Sequence, residues 1–288
     1  MADNVEFFKA ETLQQALDLL NCGKQVRIVA GGTDYVVHQR EHALEDEGGY
    51  TILDVTGIPE LHVLKETAEG FIEIGAAVSH DEIDASNLIK EKALCLSLAS
   101  ASVGSPQIRN TGTIGGNVSN ASLAADTLSA LTALNAVAVI CSAKGIREVP
   151  VKDIMVKPGK NCLDVNELIV LFRFKILEGY KSAFIKLGRR KALAISRMNV
   201  SACAKIENGI VTGISIAPGC VFSKPEHALK AETYILGKEP SEELAVEAGK
   251  LVSQEMIEKT GIRWSTEYKQ PVIEILTERA LKSLFEIN

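Results

Sequence analysis

Two short glycine-paired stretches carry most of the chemistry this sequence offers. One is Gly31-Gly32-Thr33-Asp34, at the end of the apolar run Gln25 to Ala30. The other is Thr113-Ile114-Gly115-Gly116-Asn117, within the stretch Gln107 to Leu134. Paired glycines let the main chain turn sharply and bring bare N–H groups against a ligand, because no Cβ stands in the way. Thr113 and Asn117 add a hydroxyl and an amide suited to phosphate or ribose oxygens. A helix just downstream would aim its positive end at an anion. Each loop alone reads equally well as a structural turn. Two loops of matching chemistry suit one diphosphate clasped from both sides. Neither fits the GxGxxG dinucleotide fingerprint or the GxxxxGK[ST] phosphate loop, which disfavours those two nucleotide folds.

Other reactive groupings are sparse, and no protein nucleophile, carboxylate dyad or metal constellation emerges. His38 and His42 lie four apart without the Glu of HExxH, and a solvated helix face suits them better than a metal. His62, His80 and His227 are isolated and receive no chemistry. The six cysteines, at 22, 95, 141, 162, 203 and 220, include no CxxC, so free thiols are expected and an iron–sulfur cluster in this chain is not. Lys160, in the loop Lys157 to Asn161, and Lys186, in Ala183 to Arg190, could each reach an anion or simply be solvated.

Three units position these residues. Residues 1–55 read as a small βαβ unit: Thr12-x-x-Gln15 matches a capping box before a helix, and the strand at 25–30 delivers the first loop. Glu45 to Gly49 reads as an exposed loop and Thr51 to Val55 as a strand. Residues 56–175 hold a strand at Phe71 to Gly75, a second capping box at Ser79-x-x-Glu82, and a buried helix near 93–103 stopped at Ser105-Pro106. The second loop comes next, then strands at Ala136 to Cys141 and Leu168 to Phe174. Residues 176–288 show a hairpin turning at Glu207-Asn208-Gly209. Helices close the chain near 225–236, 241–258 and 271–285, the last opening at Pro271. Strands followed by helices, without regular alternation, imply an α+β fold.

With 288 residues, 46% apolar and 24% charged, the chain is an ordinary globular one with room for two or three small domains. A net charge of −6 with no basic stripe argues against nucleic acid or an anionic membrane as partner. No signal-peptide pattern or bilayer-length apolar run is read, so a cytoplasmic location is expected.

Ala30 to Asp34 together with Ile108-Arg109-Asn110-Thr111-Gly112-Thr113-Ile114-Gly115-Gly116-Asn117 resembles the FAD-binding subunits of molybdenum hydroxylases. These are the medium subunits of xanthine, nicotinate and carbon monoxide dehydrogenases and the central domain of eukaryotic xanthine oxidoreductase. The similarity covers nearly the whole chain. It implies a two-part FAD-binding domain at 1–55 and 56–175, followed by a smaller C-terminal domain of antiparallel sheet and helices at 176–288. It also implies FAD contacts from Arg27, Ile28, Val29, Ala30, Gly31, Gly32, Thr33 and Asp34, and from Thr113, Ile114, Gly115, Gly116 and Asn117. Asp126 matches the acidic residue expected at ribose or adenine; as a residue it is also a common helix N-terminal Asp. Gly104, Lys160 and Ile169 match further contact positions, and Lys186 a lysine near the cofactor, where a cation would stabilise a reduced flavin. Tyr35 stands where Leu is frequent, and Leu123 where Pro is.

The resemblance implies partners as well. They are a small subunit with [2Fe–2S] clusters and a large molybdopterin subunit, with NAD(P)+ as a possible acceptor of electrons leaving FAD. A stand-alone flavin reductase or oxidase, or a non-catalytic scaffold, would share the same composition. The cluster insert of the 4-hydroxybenzoyl-CoA reductase type is not present.

Overall fold

A computed structural model describes residues 5–42, 49–190 and 193–287. The chain opens with strand β1 (Val5–Lys9), helix α1 (Leu13–Leu20), β2 (Val26–Val29), α2 (Tyr35–His42) and β3 (Tyr50–Asp54). These strands form a parallel sheet in the order β1-β3-β2. Thr12 caps α1 by accepting the Gln15 N–H at 3.2 Å, and the Gln15 amide oxygen accepts from Glu11, one residue before the expected capping-box partner. Ala16, Leu17 and Leu20 are the face of α1 that is buried. The edge strand β1, absent from the sequence reading, exposes all five residues, so burial contributes no periodic signal there. The acidic run at 45–48 lies outside the described residues.

A 3-10 turn (Pro59–His62) leads to β4 (Leu64–Glu66) and β5 (Phe71–Gly75). Next come helices α3 (His80–Ala85), α4 (Asn87–Lys92), α5 (Leu94–Ala101), α6 (Pro106–Thr111), α7 (Ile114–Ser119) and α8 (Asp126–Ala133). The segment returns through β6 (Val137–Ser142), β7 (Gly145–Pro150), the single turn α9 (Val151–Ile154), the small hairpin β8 (Met155–Lys157) with β9 (Lys160–Asn161), and β10 (Leu168–Lys175). Its main sheet has the order β4-β5-β10-β6-β7, antiparallel throughout. Phe172 and Phe174 of the central strand β10 are fully buried with Ile72, Ile74 and Leu131. Pro106 does more than stop the preceding helix: it occupies the first turn of α6, where its missing N–H costs nothing, with Ser105 as cap. The second glycine stretch is likewise helical, capped by Thr113, whose Oγ1 accepts the Gly116 N–H at 3.1 Å.

The last part is an antiparallel sheet, β11 (Tyr180–Gly188), β12 (Ser196–Glu207) and β13 (Ile210–Gly219), packed on α10 (Leu229–Ile235), α11 (Glu242–Thr260) and α12 (Thr266–Phe285) around its own core. Asn208 and Gly209 take φ of 53° and 79°, the left-handed pair that a tight hairpin turn requires. Pro271 does not open the last helix. It lies inside α12, which begins at Thr266, whose Oγ1 accepts the Arg263 N–H at 2.8 Å. One helical hydrogen bond is thereby lost. Parallel first sheet, antiparallel second and third, and segregated helices make the fold α+β. Among the described residues, no helix is long and apolar enough to cross a membrane.

The start of α3 is fixed by its own cap. Ser79 forms a complete capping box: it accepts the Glu82 N–H at 3.2 Å, while Glu82 Oε2 accepts from the Ser79 N–H at 2.8 Å and hydroxyl at 2.7 Å. Ser79→Ala is expected to lower unfolding stability by about 1–2 kcal/mol, read from urea denaturation midpoints at unchanged slope.

Candidate cofactor site

The two glycine stretches, about eighty positions apart, meet. A Cβ placed on Gly31 would lie 1.8 Å from the Thr111 carbonyl oxygen, so the two main chains touch at a point where only glycine fits. Gly112 is enclosed less tightly, its missing Cβ 2.8 Å from the Ile108 carbonyl oxygen and in ordinary contact with His80 Cδ2 at 3.4 Å and Thr33 Oγ1 at 3.6 Å. Behind them, Thr113 pairs with Ser79 in an isolated bridge. The His80 N–H donates to the Gly112 carbonyl at 3.0 Å and the Ile114 N–H to the Val78 carbonyl at 3.0 Å. Asn120 Nδ2 donates to Asp34 Oδ2 at 3.2 Å, a second link between the loops.

Both stretches line one cavity of about 750 Å³, within the roughly 300–1,000 Å³ usual for cofactor sites. The loops contribute differently. The N–H groups of Gly31, Gly32, Thr33, Asp34 and Tyr35 find no acceptor among the described residues, and Gly32 has a φ of +68°. In the second stretch the N–H groups of Ile114, Gly115, Gly116 and Asn117 are taken by Val78, Ala76 and Thr113. The free main-chain donors therefore sit on the first loop, and the second acts as a rigid wall. Asn117 Oδ1 accepts from the buried Thr127 hydroxyl at 2.6 Å, which fixes the amide on the cavity wall.

Of the residues the sequence singled out, Ile28, Val29, Ala30, Gly31, Gly32, Thr33, Asp34, Gly104, Thr113, Gly115, Gly116, Asn117, Asp126 and Ile169 lie on the cavity wall. Four do not. Arg27 stacks its guanidinium 4.0 Å from the centre of the Tyr50 ring. Ile114 is fully buried in the core. Lys160 is exposed on β9, and its neighbour Asn161 takes the wall position, donating to the Ser119 carbonyl at 2.7 Å. Lys186 is drawn away by a carboxylate.

That carboxylate is Asp126, at the start of α8. Lys186 Nζ donates to its Oδ2 at 2.6 Å and to the Ser102 carbonyl at 2.9 Å. Ser196 Oγ and Asn199 Nδ2 donate to its Oδ1 at 2.5 and 3.2 Å. Burial pushes the Asp126 carboxyl above its usual range, while Lys186 and Ser196 pull the other way. The pair ties α8 to β11 and β12.

The wall also includes residues to which the sequence reading gave no binding role. Tyr35 lines it, with its hydroxyl 3.2 Å from that of Tyr50, which donates to Gln39 at 3.0 Å. Burial, then the Tyr50 hydrogen bond, push the Tyr35 hydroxyl up to about 12. His80 is 2% exposed and also on the wall; burial, with the nearby Arg109 cation, depresses its imidazole to about 4. Nothing in an isolated histidine's sequence context shows this, since its burial comes from the α3–α6 packing. Val165 and Ile195, largely exposed, form apolar parts of the rim. Among the described residues no metal-binding grouping of His, Cys, Asp or Glu occurs.

Fold and cavity together define an FAD-binding oxidoreductase subunit. The chain belongs to the family of FAD-binding subunits of molybdopterin dehydrogenases. The model described as the FAD binding domain in molybdopterin dehydrogenase matches residues 3–174, and that of the CO dehydrogenase flavoprotein C-terminal domain matches 183–284. The chain is 31% identical to the glyceraldehyde dehydrogenase medium chain of Sulfolobus acidocaldarius, over 96% of its own length and 97% of that protein. It is 35% identical to the nicotinate dehydrogenase FAD-subunit of Eubacterium barkeri, over 81% of this chain and 79% of that one. Its fold matches a crystal structure of quinoline 2-oxidoreductase from Pseudomonas putida 86 with a TM-score of 0.89 at 22% identity, covering 98% of this chain and 97% of that one.

The cavity fits FAD on its own features. Its first loop has five unpaired N–H groups for a diphosphate, its walls are part apolar, and glycine alone is tolerated where the loops touch.

Two outcomes are expected. A histidine held neutral by burial costs the folded state stability wherever the unfolded chain can take up the proton. Stability therefore falls as pH drops from 6.5, the usual imidazole value, towards about 4. The loss attributable to His80 is about 3 kcal/mol. His80→Gln should flatten that part of the stability–pH profile, measured by denaturant unfolding at each pH. Separately, Lys186→Met should destabilise by about 3–5 kcal/mol by leaving a buried carboxylate unpaired. Adding Asp126→Asn in the same chain should recover part of the loss in thermal and urea unfolding.

Proposed function

We propose that this chain is the electron-transfer subunit of a molybdenum hydroxylase complex in the cytoplasm. It takes electrons from [2Fe–2S] clusters on a small partner subunit, fed by substrate oxidation on a large molybdopterin subunit. It passes them to a terminal acceptor such as NAD(P)+. The observation that carries this reading is the main-chain contact of the two glycine loops over one cavity, in a family of FAD subunits. Relatives named as a medium chain and as FAD-subunits of dehydrogenases support it.

In this reading the unpaired N–H groups from Gly31 to Tyr35 bind the diphosphate, and the Thr113 to Asn117 wall fixes its far side. Asp126 faces ribose or adenine, and Lys186 positions that carboxylate instead of touching the cofactor. Arg27, Ile114 and Lys160 act from behind the wall. FAD, when bound, supplies the redox chemistry, and the protein supplies position and electrostatics. The chain divides into 1–55 and 56–175, which hold the cofactor, and 176–288, which closes its floor.

The test begins with the visible spectrum of the purified chain, followed by affinity capture from its host. Flavin absorbance together with an iron–sulfur and a molybdenum subunit is expected. A flavin-loaded chain that arrives alone and turns over without partners would establish the stand-alone reductase instead. Gly31→Ala, which sets a methyl against the Thr111 carbonyl, should fold yet lower FAD affinity about tenfold or more. Undiminished flavin content in that variant would contradict the site.

A further inference from the structure

We propose that His80 is a further ligand of the bound cofactor, its neutral imidazole donating a hydrogen bond from Nε2 to a phosphate oxygen held where the two glycine loops meet. This rests on the FAD reading above and goes beyond it, since neither loop motif contains this residue. His80 is the first residue of α3, fixed there by the Ser79 cap and by its own N–H to the Gly112 carbonyl. Its ring Cδ2 would lie 3.4 Å from a Cβ on Gly112, and Thr33 Oγ1 would lie 3.6 Å from the same point, so the ring and the first loop flank Gly112 of the second. It is almost wholly buried yet lies on the cavity wall.

The ring has no hydrogen-bond partner among the described residues. Its Nδ1 is sealed from solvent and unpaired, whereas Nε2, equally unpaired, is not sealed. A buried polar atom without a partner is uncommon and calls for an explanation. Leaving an N–H donor orphaned is disfavoured more strongly than leaving a lone pair, so the proton belongs on Nε2, the nitrogen that a cavity ligand can reach. The charged groups around it favour a donor role towards an anion. Arg109, from α6, contributes a positive field and spends Nη1 on the Val103 and Gly104 carbonyls at 3.2 and 3.4 Å. Of the acids on α3, Glu82 is turned back to Ser79 and Asp84 accepts from Ser97. The adjacent N–H groups of the first loop ask for the same kind of ligand: an oxyanion with several acceptor oxygens.

The experiment titrates the flavin-free full-length chain with FAD, ADP and riboflavin, in the wild type, His80→Phe and His80→Gln. FAD and ADP should bind His80→Phe about tenfold more weakly. Riboflavin, which has no phosphate, should be unaffected. His80→Gln, which restores a donor, should bind FAD within about threefold of wild type. His80→Phe that holds FAD like wild type, or that loses riboflavin in the same proportion, overturns the inference while FAD binding by the wild type leaves the wider reading standing. Failure of the wild type to bind FAD overturns both. Should the variants not fold, nitrogen-15 NMR of wild-type histidines decides. The His80 Nε2–H resonance should shift on adding ADP and not adenosine, and an unmoved resonance defeats the proposal.

Discussion

The close contact of two main chains, Gly31 on the Thr111 carbonyl, is the constraint on which the cavity depends. It fixes the distance between a strand-end loop from a parallel sheet and a helix-rich segment in front of an antiparallel one. Because both partners are backbone, no side-chain rotamer can relax the spacing. The consequence is a division of labour. One loop keeps its N–H groups unpaired, and the other uses its own up against Val78, Ala76 and Thr113 to become a fixed wall. Preorganised donors of this kind need no rearrangement when an anion arrives.

A second constraint comes from the buried pair of Asp126 and Lys186. The carboxylate belongs to the helix beyond the second loop and the ammonium to the first strand of the last sheet. Their attraction offsets a desolvation penalty that neither could bear alone. The pair does little for stability compared with apolar packing, yet it ties the first residue of α8, which lines the cavity, to β11. The lysine that resemblance places near a cofactor is held here by the Asp126 carboxylate, which itself lines the cavity.

The two loops are legible in the sequence because a Gly-Gly pair flanked by Thr, Asp or Asn has a local physical meaning, and the hairpin around Asn208-Gly209 for the same reason. Strict alternation from Met198 to Ile206 marks the central strand of the last sheet, and Thr12 and Ser79 mark helix starts. Elements whose patterns are set by distant partners escape. The edge strand β1 buries nothing, and β11 carries Lys186 towards the buried Asp126 carboxylate and Lys181 on the opposite face beside the exposed Glu286. Local rules prefer Pro271 at a helix start, and a helix packed along its length overrides them. His80 carries no sequence signal, since its burial depends on Gly112, thirty-two positions later and without any side chain to announce it. Which of Arg27 and Ile28 faces the cavity depends on strand register, which is open until the partner strand is placed.

The floor has a consequence for biosynthesis. Asp126 is made sixty residues before Lys186, and Ser196 and Asn199 come later still. On the ribosome, the nascent N-terminal part can gather most of its apolar cluster, whose last members Phe184, Cys203 and Ala217 come later, but the Asp126 carboxylate has no counter-charge until β11 and β12 emerge and dock. Until then that acid must stay hydrated, holding the start of α8 open to water. The cavity is therefore completed late in translation, and a truncated product would expose an unfinished pocket to quality-control machinery.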